Sequence, residues 1–305
     1  PRDIWRTLWG ADLRLVALSL SLTIPMAQLK GARWRAIVGS YGLRLSLGEA
    51  VSMHAMGMVM AAVTPGRVGD FAKIVPLVNR GWTRRRAIAC SALDRLWDVA
   101  FILLIGYAAM WYFSSIFLSQ ILMASIFAAA TLIVGALVVA YRRPIGRWLV
   151  RRLPEKQGTL AGDLWTEFQT GFVKHPAPRS ALIVLTTAAC WPIYFLAVYL
   201  CARAVDVHVP YVYMCACVAT ATALSFLPIT VAGAGTRDAV FILLLGRIGA
   251  ERPESLAVSS IVLAMFLANA LIFWAIWILL RPAPVVTERP SDHPAPHPDS
   301  DSPRA

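Results

Sequence analysis

The sequence predicts an all-α protein, a polytopic transmembrane helix bundle with two proline/glycine-broken re-entrant hairpins in an inverted repeat. Three observations carry that expectation. Of 305 residues, 58% are hydrophobic and only 15% charged, against roughly 25% charged in soluble domains, and the mean hydropathy is +0.62. Residues 99–141 contain no charged side chain, a run too long for a soluble core helix and long enough for two bilayer crossings. Finally, two apolar, small-residue helices stop on proline, the first at Thr64-Pro65-Gly66 and the second at Leu227-Pro228.

Taken in order, residues 2–14 form a short basic lead whose Trp5 and Trp9 suit a membrane interface. A first span is expected over residues 12–29, apolar around Pro25, ending on Lys30-Gly31-Ala32-Arg33-Trp34-Arg35. The helix over 46–63 must stop near Pro65, because proline removes a backbone donor and the glycines Gly66 and Gly69 free the dihedrals. Charged Arg67, Asp70 and Lys73 follow at once, then a short amphipathic piece over 71–78. The span over 88–113 carries Asp94, Arg95 and Asp98 in its first turns, and residues 121–140 make another span. Residues 142–156 are strongly basic and belong in the cytosol. Residues 160–173 read as a surface amphipathic helix, with Leu164, Trp165, Phe168 and Phe172 on one face. Then come a span over 181–201 despite Pro192, a small-residue helix over 210–227 ended by Pro228, a short apolar piece over 239–245, and a last span over 256–280. The expected organisation is one transmembrane domain, residues 1–280, with halves 12–140 and 180–280 around the 141–179 segment. A disordered Pro/Asp/Ser tail occupies 281–305.

The second half echoes the first. Each half has a small-residue helix, a proline break, glycines (Gly66 and Gly69, then Gly233 and Gly235), an arginine and an aspartate. If both broken segments are hairpins that return to their starting side, 22 of the 29 lysines and arginines fall on the cytosolic side, the tail included. A full crossing by residues 46–63 would instead put Lys30, Arg33, Arg35 and Arg44 outside, which the positive-inside rule disfavours. The hairpins then enter from opposite sides, as in transporters that place a site where broken helices meet near the midplane.

The net charge of +12 is explained by that rule, so nucleic acid is not an expected partner. The five cysteines lie in apolar stretches without a CxxC pair, and read as small packing residues. His293 and His297 in the tail make no metal site, and no metal or cofactor is expected. No HExxH, GxSxG, P-loop or dinucleotide pattern appears, so the expectation is that this chain is not an enzyme. No signal peptide is legible, and the sequence starts at Pro1.

The candidate site residues are Arg67, Lys73, Arg95 and Arg237. An arginine at bilayer depth costs roughly 2.5–3.5 kcal/mol on insertion scales, so it needs a partner or a wet cavity. The phosphate of an anionic lipid, bound bidentately by guanidinium, is one such partner. The plainer alternative for Arg67 and Lys73 is snorkelling to the cytosolic interface. Asp70, Asp94 and Asp238 either pair with these cations or carry coupling protons, pairing being the simpler role. Pro65, Gly66, Gly69, Pro228, Gly233 and Gly235 are the hairpin breaks. Gly57 and Ala61 are expected at a close helix contact, while His54 reads as a satisfied packing residue.

Arg33-Trp34-Arg35, Pro65-Gly66-Arg67-Val68-Gly69-Asp70, Leu93-Asp94-Arg95, and Leu227-Pro228-Ile229-Thr230 with Gly233-Ala234-Gly235-Thr236-Arg237-Asp238 together resemble one family. It is the lysylphosphatidylglycerol synthase transmembrane region, a flippase-like family of bacterial and archaeal membrane proteins. The resemblance covers residues 12–280. Asp238 stands where the family commonly has glutamate, which keeps the carboxylate. Two features depart: a further span usually precedes Arg-Trp-Arg, and aminoacyl-lipid synthases carry a large soluble domain. The resemblance therefore implies the lipid-translocating module, without the synthase activity, in a bacterial plasma (inner) membrane with the tail cytosolic. The expected function is binding and flipping an anionic phospholipid or a polyprenyl-phosphate-linked lipid. The alternative is an accessory membrane subunit for a separately encoded lipid- or glycan-modifying enzyme, docked through 142–156 and 160–173.

Overall fold

The computed structural model describes residues 9–113, 166–167, 177–225 and 235–280. Among these residues there is no strand, and three helical runs are long and apolar enough to cross a membrane: Leu13–Ser40, Pro178–Ala204 and Arg252–Leu280. The chain is a multi-pass membrane protein. The expected span over 121–140, the basic loop over 142–156, most of the amphipathic helix over 160–173, the break at Pro228 and Gly233, and the tail all lie outside the described residues.

The first run is two helices, α1 (Leu13–Ser21) and α2 (Thr23–Ser40). Asp12 caps α1, its Oδ1 accepting from the Arg14 amide at 2.8 Å. The interruption at Leu22 has a cause in sequence, because Pro25 has no N–H to donate to the Ser21 carbonyl four residues back. The first span was expected to end at residue 29. Instead α2 continues to Ser40, with Arg33, Trp34, Ala36, Ile37 and Val38 buried. Lys30 and Arg33 do not stop the helix, since carboxylates on a neighbouring helix take their charge.

Helix α3 (Leu47–Ala62) opens on a capping box. The Ser46 hydroxyl accepts from the Glu49 amide at 3.2 Å and Glu49 Oε2 accepts from the Ser46 amide at 2.7 Å. It ends just before Pro65, which starts a ten-residue 3-10 segment (Pro65–Ile74) leading into α4 (Val75–Val78). Thr64 fastens the reversal, donating to the Met60 carbonyl at 2.9 Å and accepting from the Gly69 amide at 2.8 Å. The 3-10 segment then runs back along α3. A Cβ on Gly69 would lie 2.1 Å from the Met60 carbonyl oxygen, and one on Gly57 would lie 2.8 Å from Asp70 Oδ1. Only glycine permits either approach.

The remaining elements are α5 (Arg84–Tyr112), α6 (Ala177–Ala204), α7 (Tyr211–Ser225), α8 (Thr236–Gly246) and α9 (Arg252–Leu280). Thr83 caps α5 by accepting from the Arg86 amide. Gly235 precedes α8 at φ 87°, a conformation L residues avoid, and its amide donates to Asp238 Oδ2 at 3.1 Å. The α7 and α8 helices lie together, with Tyr213 near the start of one donating to the Leu244 carbonyl near the end of the other at 2.5 Å.

The packing pairs exchange between halves. Helix α3 packs on α9, and α7 packs on α5; the 3-10 segment lies on α3 and α5, as α8 lies on α7 and α9; α2 and α6 pack on each other. Interhelical polar bonds reinforce these contacts. Ser19 donates to the Ala197 carbonyl at 2.9 Å, Thr23 to Asn269 at 2.5 Å and Ser52 to the Trp277 carbonyl at 3.3 Å.

One end of the bundle is rich in cations. There Arg86 lies over the Trp82 ring and donates to the Tyr41 carbonyl, Arg179 donates to the Gly39 carbonyl at 3.0 Å, and Arg80 pairs with Glu49 at 2.5 Å.

Candidate functional site

Seven charged side chains from three elements meet inside the first half. Helix α2 contributes Lys30 and Arg33, three residues apart and so on one face. The 3-10 segment contributes Asp70 and Lys73, and α5 contributes Asp94, Arg95 and Asp98. Arg33 is 1% exposed, and its Nε donates to Asp94 Oδ1 at 2.7 Å. Its two terminal nitrogens bind the two Asp98 oxygens at 2.7 and 2.9 Å, the bidentate arrangement guanidinium favours. Nη1 also donates to Thr187 of α6 at 3.2 Å, which brings the second half into contact with the cluster.

Lys73 does not reach the interface. It is wholly buried, its ammonium held by Asp70 Oδ2 at 2.7 Å and Asp94 Oδ2 at 2.5 Å. It also sits over the Trp34 ring, 4.7 Å from the centroid. Arg95 Nε meets the same Asp70 oxygen at 2.7 Å, and Lys30 pairs with Asp98. The cluster thus holds four cations and three carboxylates. Asp70 Oδ1 and Arg95 Nη2 are buried without a hydrogen-bond partner among the described residues.

Depth follows from helix rise. Lys30 is ten residues from the end of α2 and Arg95 eleven from the start of α5, so these two lie about 15–17 Å inside the cation-rich end.

The second half has a leaner site. Arg237, 9% exposed, donates through Nε to Ser259 Oγ of α9 at 2.9 Å. Ser259 in turn donates to Asp238 Oδ1, while Arg237 Nη2 stands 3.8 Å from that oxygen. Helix α8 runs nine further residues from Arg237 to Gly246, so the site lies about 14 Å inside the opposite end.

Of the sequence-predicted residues, the structure brings Lys73, Arg95, Asp70 and Asp94 together, and separately Arg237 with Asp238. The Arg67 backbone lies in the 3-10 segment, one turn before Asp70, and its side chain is outside the description. Sequence reasoning missed Lys30, Arg33 and Asp98 as members of the cluster, and Ser259 as the bridge. A signal was present: Lys30/Arg33 at i, i+3 and Asp94/Asp98 at i, i+4 are pairs of like charge, the two pairs opposite in sign, on one face of their helices. His54 packs as expected, but is not fully satisfied among the described residues. It is buried, edge-on to Phe273 at 6.1 Å, and its Nδ1 has no partner among the described residues. Gly57 packs, but against Asp70. No group of three or more potential metal ligands occurs among the described residues.

Comparison with known protein families places this chain. The model of the family described as the lysylphosphatidylglycerol synthase TM region matches residues 1–279. No curated protein and no solved structure matches the chain.

Proposed function

The chain belongs to the family of the lysylphosphatidylglycerol synthase TM region, and from that premise we propose that it binds and flips an anionic lipid, a phospholipid or a polyprenyl phosphate. The observation that carries this reading is the placement of the two charged sites. Both lie near mid-depth, each on a short element that packs along a small-residue helix. Helix α3, with 16 residues, is about 24 Å long, under the roughly 30 Å of a hydrocarbon core, and α7 is its counterpart in the second half. Read as re-entrant hairpins, they enter from opposite ends, and the exchanged packing pairs fit an inverted repeat.

In this reading, Arg67, Arg95 and Arg237 take the phosphate while the acyl chains stay in the bilayer. Lys73 contributes charge from behind. The cation-rich end around Arg86 and Arg179 faces the cytosol of a bacterial plasma membrane by the positive-inside rule, with the tail on the same side. No chemistry is assigned to the chain itself.

The test is lipid movement by the purified protein in liposomes, comparing fluorescent phosphatidylglycerol with a fluorescent polyprenyl phosphate. Arg67→Ala and Arg237→Ala should each cut headgroup-dependent movement by about tenfold or more, the loss of one charged contact worth roughly 1.5–3 kcal/mol. A folded wild-type protein that moves no anionic lipid would refute the reading and favour an accessory subunit.

A further inference from the structure

We propose that Asp70 binds a coupling proton, taken up on Oδ1 as Arg95 shifts from Asp70 to the phosphate of an anionic lipid. The inference rests on the lipid-binding reading above and adds an energy source to it.

The two oxygens of Asp70 are used unequally. Oδ2 carries both cations, Lys73 Nζ and Arg95 Nε, at 2.7 Å each. Oδ1 accepts from no described residue and lies against the missing side chain of Gly57. A buried carboxylate oxygen without a donor is costly. It is also the oxygen on which a proton can add without first displacing a cation. One helical turn before Gly57, on the same face of α3, His54 is buried with Nδ1 unpartnered. A neutral imidazole both accepts and donates, so it can pass a proton along that face.

The groups around this pair decide when the proton binds. Lys73 comes from the 3-10 segment, and Asp94 and Arg95 come from α5. Lys30 and Arg33 come from α2 through Asp98 and Asp94, and from α9 the uncharged Phe273 meets His54. With four cations and three carboxylates the cluster carries one positive charge in excess. Protonating Asp70 alone raises the excess to two, which burial opposes. A monoanionic headgroup beside it returns the excess to one. Proton binding is therefore tied to lipid binding, and by linkage lipid binding is tied to the proton.

A solvent proton adds to Oδ1, the Arg95 N–H exchanges Oδ2 for a phosphate oxygen while Lys73 stays between Asp70 and Asp94, and on release the proton leaves to the opposite side with the lipid. The unpartnered Arg95 Nη2 is the donor that first meets the phosphate.

The test uses the full chain in phosphatidylcholine liposomes with fluorescent phosphatidylglycerol, an imposed pH gradient and a pH dye inside. The expected result is a leaflet distribution driven at least about twofold from even by the gradient, with proton movement only when the lipid moves. Asp70→Asn should carry no protons, and whatever flipping it retains should not respond to the gradient. If that variant does not fold, His54→Gln is the second probe, and proton movement per lipid should fall. Wild-type flipping that reaches the same distribution with and without the gradient would overturn the proton site and leave the lipid reading intact. Absence of flipping would overturn both.

Discussion

The two charged sites solve the same problem, a cation at membrane depth, in opposite ways. In the first half Arg33 and Lys73 are each held by two carboxylates, and every member touches another. In the second half Arg237 meets one aspartate at 3.8 Å and is held mainly through Ser259. A guanidinium whose charge is answered on both sides has little left for a ligand. One held by a hydroxyl keeps most of its charge to offer. The first cluster is thus principally a fastening, open only at Arg95 and Asp70, and the second is the one that the proposed function makes a receptor.

That contrast can be broken by substitution. The largest effect is expected at Arg33. Arg33→Leu leaves Asp94 and Asp98 with less cationic compensation in a buried site, a loss of about 3–5 kcal/mol. Thermal unfolding in detergent should show little folded protein, whereas Arg237→Leu should unfold close to wild type. Next comes Gly69→Ala, where a Cβ 2.1 Å from the Met60 carbonyl oxygen forces the 3-10 segment off α3 at a cost of about 1–3 kcal/mol. A wild-type unfolding midpoint in that variant would mean the reversal is not packed as described. The smallest effect is at Ser259→Ala, which removes a neutral bridge worth about 0.5–1.5 kcal/mol. It should weaken binding of phosphatidylglycerol severalfold while barely moving the midpoint.

The sequence shows the broken helix well because the break is local chemistry. Pro65 stops α3, Gly69 lets the chain return, and Ser46 with Glu49 sets the start, all within 24 residues. The spacing of Asp70 and Lys73 is also local, and so are the two spans α6 and α9. What the sequence does not show directly is long-range. Lys30 and Arg33 look like the polar end of a first span until the phase of α5 places Asp94 and Asp98 against them, 61 residues away or more. A charge at a helix end and a charge at mid-bundle are the same letter; only the partner distinguishes them. The contact of α3 with α9 and of α7 with α5 crosses the halves in the same way. The bridge at Ser259 carries no charge, so nothing marks it among the other serines of α9.

The most direct measurement is the thermal midpoint of purified protein titrated with phosphatidylglycerol, wild type beside Arg237→Ala. A ligand that binds only the folded state raises stability by about 2.7 kcal/mol at a hundred times its dissociation constant. A lipid-dependent rise in the wild type that disappears in Arg237→Ala, with the lipid-free midpoints nearly equal, is the expected result. Equal rises in both proteins would contradict a receptor at Arg237 and place the anion elsewhere.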